Sequence, residues 1–115
     1  MRLRDKTVLK KICSEIDVAT ELLGDSKLEE FLTDERNKRA VAMTAINIGE
    51  LVKSLTPELK DKNNHVAWKE AAALRNIAAH KYETLKMDQV YDTVKEDFPE
   101  LKIQIEKILE NDAEE

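Results

Sequence analysis

The chemistry available to this chain is concentrated in one short run, Arg75-Asn76-Ile77-Ala78-Ala79-His80-Lys81-Tyr82. It places a guanidinium, an amide, an imidazole, an ammonium and a phenol within eight residues. Imidazole titrates near pH 6.5, so it can take or give a proton at neutral pH. A guanidinium grips phosphate with two parallel hydrogen bonds and stabilises the extra charge of a five-coordinate transition state. Together these groups permit phosphodiester cleavage without a metal, with RNA supplying its own nucleophile, the 2′-hydroxyl. The same residues also have quieter uses. A histidine near a helix C-terminus stabilises the helix dipole, and an arginine on a helix commonly forms a surface ion pair.

Other chemistries are poorly supplied. The two glycines, Gly24 and Gly49, form no phosphate-binding loop. His65 and His80 are far apart and have no cysteine pair, so no zinc site is expected, nor any cofactor. The lone Cys13 excludes an internal disulfide and sits on an apolar flank, as a packing residue does. The other carboxylates recur at helical spacing with lysines, the pattern of solvated faces.

The elements that must position this run are helices. A chain of 115 residues with 2 Gly, 2 Pro, 37% charged and 4% aromatic residues has the composition of one all-α domain. Val8, Ile12, Ile16, Ala19 and Leu23 predict a first helix over about 4–23, closed by Gly24. Asp25 and Ser26 can cap a short helix over 26–32. Thr33 or Asp34 opens the longest helix, with an inner stripe of Val41, Thr44/Ala45, Ile48, Leu51/Val52 and Leu55. A second, half-polar stripe of Arg36, Ala40, Met43, Asn47 and Glu50 points to a partner or a site.

Thr56-Pro57 predicts a helical turn over 57–62, and Lys62-Asn-Asn-His65 a loop. Residues 66–80 read as one alanine-rich helix. In it Asn76 and His80 would share a face, while Arg75 and His80 would lie about 140° apart. They could reach one phosphate if the helix ends near Ala79, or could meet across a two-fold axis between two copies. Met87-Asp88 opens a further helix that Phe98-Pro99 should break. Leu101, Ile105, Ile108 and Leu109 stripe the last one, and residues 110–115 should fray. The expected architecture is an antiparallel bundle of four to six helices in a single domain, 1–115.

Charge is uneven. Residues 1–57 carry 10 basic and 10 acidic side chains, 58–86 carry 6 and 4, and 87–115 carry 3 and 10. With a net charge of −5, any nucleic-acid contact must use a local basic surface. The sequence has no apolar run long enough to span a membrane and no signal peptide, which predicts a cytoplasmic protein without membrane contact.

The Arg75…His80…Tyr82 spacing resembles the Arg-x4–6-His-x-Tyr signature of the HEPN superfamily. Its HepT branch, the toxin half of the MntA–HepT toxin–antitoxin systems, is most similar. Phe31-Leu32 with Asp34 to Val41, Ile48-Gly49-Glu50, and Trp68 followed by Leu74-Arg75-Asn76 extend the resemblance over about residues 5–110. It implies a helical homodimer with both motifs in one cleft and a metal-independent endoribonuclease with Arg75 and His80 as catalytic residues. Asn76, Lys81 and Glu50 would support the site or hold RNA, Glu50 by positioning Arg75. The resemblance also implies an MntA-like nucleotidyltransferase antitoxin that transfers AMP to Tyr82. Two positions depart from the family pattern: Ala67 stands where a proline often precedes the tryptophan, and Lys81 where a glycine often follows the histidine. A different reading is a non-catalytic helical module that docks a nucleotidyltransferase as its substrate-binding subunit.

Overall fold

The computed structural model describes residues 1–74 and 86–114. Helix α1 spans Leu3–Leu23, α2 Leu28–Thr33, α3 Glu35–Ser54, α4 Pro57–Lys62, α5 Trp68–Ala72, α6 Met87–Asp92 and α7 Phe98–Glu114. A π-helical turn, Thr93–Asp97, joins α6 to α7. Among the described residues there is no strand, and the fold is the expected all-α bundle. No described helix is long and apolar enough to cross a membrane.

The antiparallel pair α1 and α3 is the centre of the bundle. Val8, Leu9, Ile12, Ile16, Ala19 and Leu23 meet Val41, Ala45, Ile48, Val52 and Leu55 in the core. Every one of these sits at helical spacing, so the two apolar stripes bury each other. Polar bonds fix the register at both ends. The Asn37 amide donates to the Leu22 carbonyl at 2.8 Å. At the opposite end the buried Asp5 carboxylate accepts from the Thr56 N–H at 3.1 Å and from the Thr56 hydroxyl at 2.5 Å. Thr56 also caps α4, its Oγ1 accepting from the Leu59 N–H at 3.3 Å. Helix α7 runs antiparallel on another side of α1, with Lys102 against Asp17 at 2.6 Å.

Several boundaries follow the sequence and several do not. Gly24 closes α1 with a φ of 52°, a backbone that side-chain-bearing residues rarely adopt. Asp34 caps α3, accepting from the Asn37 N–H at 3.1 Å. The short second helix, however, is capped from Lys27, whose N–H donates to the Glu30 carboxylate at 3.2 Å. Ser26 is used differently, its carbonyl accepting the Tyr91 hydroxyl at 2.7 Å. The helix expected over 66–80 starts only at Trp68 and tightens to a 3-10 turn at residues 73–74; its end falls outside the described residues.

Phe98-Pro99 does not break the last helical stretch. Proline lacks an N–H, and its ring collides with the carbonyl four residues earlier in a regular α-helix. The wider π turn just upstream absorbs that collision: the Phe98 N–H reaches Thr93, five residues back, and the chain continues as α7. Helix α7 extends to Glu114, through residues expected to fray, with Asp112 facing Lys6 of α1 at 3.9 Å.

Candidate active site

Arg75, Asn76, His80, Lys81 and Tyr82, the residues expected to carry the chemistry, lie outside the described residues, as does the expected helix end at Ala79. The described structure shows how the chain is held on either side of them.

On the upstream side the anchor is Trp68. Its ring is buried, and its indole N–H donates to the Asn63 carbonyl at 3.0 Å. The Asn63 side chain in turn donates to the Leu59 carbonyl at 3.0 Å, which ties the loop after α4 to α4 itself. Ala71, Ala72 and Leu74 then pack half-buried against the core, with α5 lying on α3. The small alanines let the two helices approach closely. Leu74 is the last residue before the motif.

On the downstream side, Met87 and Val90 are buried. Tyr91 stacks on Phe31 with ring centroids 5.6 Å apart and donates its hydroxyl to the Ser26 carbonyl. Lys95 lies over the Tyr91 ring at 5.7 Å and donates to the Gly24 carbonyl at 2.8 Å. The helix that follows the motif is therefore latched onto the corner between α1 and α2. The sequence gives no local signal for this latch, because its partners are 65 and 71 residues apart.

A cavity of about 470 Å³ opens between α5 and the start of α7, next to Leu74. Leu74 and Phe98 give it apolar walls, and His65, Glu70, Asp97 and Glu100 stand around them. Three carboxylates make this rim repulsive to phosphate. A second cleft of about 290 Å³ lies between the start of α1, α4 and the end of α7. The Asp5 carboxylate lines it, and both its oxygens are engaged by Thr56. Among the described residues no three His, Cys, Asp or Glu side chains form a metal-binding group.

Glu50 is exposed on the outer face of α3, while its neighbour Gly49 is buried. Among the described residues Glu50 has no ion-pair or hydrogen-bond partner. Lys69 is exposed on α5. Cys13 is half-buried, and burial, reinforced by the nearby Glu106 carboxylate, pushes its thiol up to about 11. That shift keeps it protonated at neutral pH, which disfavours a nucleophilic role.

Comparison with known proteins gives a consistent set of matches. A family model described as Ribonuclease HepT-like matches residues 12–108. A protein of Methanocaldococcus jannaschii named "Gamma-glutamylcyclotransferase and putative RNase" is 36% identical over 110 residues, 96% of this chain and 50% of that one. This chain thus spans half the length of that relative. A "Putative RNase" of Caldanaerobacter subterraneus subsp. tengcongensis is 31% identical over 90% of this chain and 93% of its own. A "Probable ribonuclease HepT" of Thermococcus cleftensis is 31% identical over 94% of this chain and 98% of its own. No solved structure matches the chain at a significant level.

Proposed function

The chain belongs to the ribonuclease HepT-like family, and on that premise we propose that it is the endoribonuclease toxin of a toxin–antitoxin pair. The observation that carries this reading is the family match over residues 12–108, which includes Arg75, Asn76, His80, Lys81 and Tyr82 in one ordered motif.

In this reading His80 takes the proton of the RNA 2′-hydroxyl, whose oxygen attacks the adjacent phosphorus. The bond to the 5′-oxygen breaks, that oxygen takes a proton from the imidazolium, and a 2′,3′-cyclic phosphate and a free 5′-hydroxyl remain. Arg75 binds the non-bridging oxygens and meets the charge that builds on them. Asn76 orients the imidazole, and Lys81 holds the neighbouring phosphate. The active unit is a homodimer with both motifs in one cleft, which gathers Arg75, Lys81 and Lys69 against the net negative charge of each chain. Control comes from an MntA-like nucleotidyltransferase. The Tyr82 oxygen attacks the α-phosphorus of ATP, pyrophosphate leaves, and the phenol loses its proton. A neutral phenol becomes an anionic phosphodiester that repels RNA.

The test is cleavage of transfer RNA and a messenger transcript in the presence of EDTA, by wild-type and His80→Ala protein. Cleavage by the wild type alone is the expected result, with a loss of about a hundredfold or more in the variant. Cleavage that persists in His80→Ala overturns the catalytic assignment. Unmodified wild-type protein, verified by intact mass, that cleaves nothing overturns the nuclease reading in favour of a docking module.

A further inference from the structure

The first fourteen residues carry five basic side chains, Arg2, Arg4, Lys6, Lys10 and Lys11, and one acidic, Asp5, in a chain whose net charge is −5. Asp5 is buried with both oxygens on Thr56, so it does not stand among them at the surface. Arg2 and Lys6 have carboxylates nearby, Glu58 at 3.5 Å and Asp112 at 3.9 Å. Arg4, Lys10 and Lys11 are exposed and form no ion pair among the described residues, not even Lys11 with Glu15 one turn on. At 100° per residue they stand with the exposed Thr7 and Ser14 on the side of α1 opposite Ile12 and Ile16. Arg4, in the first turn, opposes the helix dipole, so this charge does not stabilise the helix that carries it.

We infer that this strip of α1 binds the phosphate backbone of single-stranded RNA, away from the bond that is cut. The inference rests on the proposed function and adds to it a second contact with the substrate. The argument is charge complementarity. Between Arg4 and Ser14 the exposed face offers cations and hydroxyls and no aromatic or large apolar side chain. A protein partner needs apolar anchors and disfavours lysine, whereas Arg, Lys, Ser and Thr are the side chains that hold phosphates. Lys10 and Lys11 lie about 9–10.5 Å beyond Arg4 along the helix, close to three steps of about 3.4 Å in a stacked strand. A strand running along α1 thus meets a cation at each end of that interval. The flanks of the motif lie elsewhere: α5 packs on α3, and α6 packs on α2 and α3. The long dimension of the molecule is 47 Å, which about fourteen stacked nucleotides cover, so one strand can be held at both places.

The experiment is binding of a fluorescein-labelled single-stranded RNA of about twenty nucleotides, long enough to cover the molecule. The full chain carrying His80→Ala is used, so that RNA is held without being cut, and affinity is read by anisotropy over a range of salt. Adding Arg4→Ala, Lys10→Ala and Lys11→Ala together should weaken binding about tenfold or more. The slope of log Kd against log salt should fall by about two, at roughly 0.7 for each phosphate contact with a single strand. Each substitution alone should lower the slope by about 0.7. Alanine suits an exposed helix position, so the triple variant should keep its thermal unfolding midpoint. Lys107→Ala, at an exposed position of α7, should change neither affinity nor slope. Wild-type cleavage together with unchanged affinity and slope in the triple variant overturns this surface and leaves the nuclease standing. Unchanged RNA binding with lost affinity for an MntA-like nucleotidyltransferase overturns it in favour of an acidic protein surface. A wild-type chain that neither binds nor cleaves RNA overturns the proposed function itself, and this surface with it.

Discussion

Helices α1 and α3 are 21 and 20 residues long and meet along an unbroken apolar seam. Helices α5 and α6 have 5 and 6 residues and flank the motif segment. Helix α5 is too short to be stable alone, and α6 is only the first part of the helical stretch that runs on through the π turn into α7. Besides the buried Trp68, Met87 and Val90, individual bonds hold this region: the Trp68 indole on Asn63, the Tyr91 hydroxyl on Ser26 and the Lys95 ammonium on Gly24. The long pair spreads its stabilisation over many contacts, whereas the short helices depend on a few. The described chain on either side of the motif segment thus buries fewer side chains than the central pair does. Substitutions in the two regions should therefore differ in kind.

The largest effect on stability is expected in the seam. Ile48→Ala removes a fully buried side chain from α3 and should cost about 2–5 kcal/mol in urea unfolding. A cost near zero would show that the seam does not carry the fold. Next comes Asp5→Ala, which strips the Thr56 N–H and hydroxyl of their acceptor where α1 meets α4. It should cost about 1.5–3 kcal/mol by thermal unfolding, with Asp5→Asn recovering part of the loss.

Trp68→Phe keeps most of the ring but deletes the bond to Asn63. A stability loss of only about 0.5–1.5 kcal/mol is expected. RNA cleavage should nevertheless fall out of proportion, because α5 leads straight into Arg75. A stability loss equal to that of Ile48→Ala would erase the distinction between the two regions.

The smallest effect belongs to Cys13. With its thiol held up at about 11 by burial and Glu106, alkylation should be slow at pH 8 and quicken about tenfold per pH unit until that value. The folded chain keeps a proton that the unfolded thiol releases above its ordinary value near 9. Stability should therefore decline between about pH 9 and 11, by less than the full shift implies because the thiol is half exposed. Rapid alkylation at pH 8 would place Cys13 in a more open environment.

The framework was legible in the sequence because periodicity carries it. The stripes of α1, α3 and α7, the Asp34 and Thr56 caps and the Gly24 stop all follow from residue type and spacing. What could not be read depends on distant partners. Ser26 looks like a cap, but its carbonyl serves Tyr91, 65 residues away, and the start of α2 moves to Lys27. Pro99 looks like a break, but a π turn lets the helix pass, and no residue type announces a π turn. Asp5 reads as one more charge on a solvated face, though it is buried against Thr56. Of the candidate site, the residue types set an expectation of the chemistry, and Trp68, buried and bonded to Asn63, stands where α5 begins. The placement of Arg75 and His80 lies outside the described residues.

The latch of Tyr91 and Lys95 onto the α1–α2 corner has a consequence for local opening. Amide protons at the end of α1 cannot exchange with solvent by fraying alone if the corner is tied to α6. Releasing either element breaks the same phenol and ammonium bonds and uncovers the same Phe31 ring. In native-state hydrogen exchange, the last turn of α1, α2 and the first turns of α6 should open as one unit with a common protection factor. Tyr91→Phe should lower that factor in all three together, although they lie at opposite ends of the sequence.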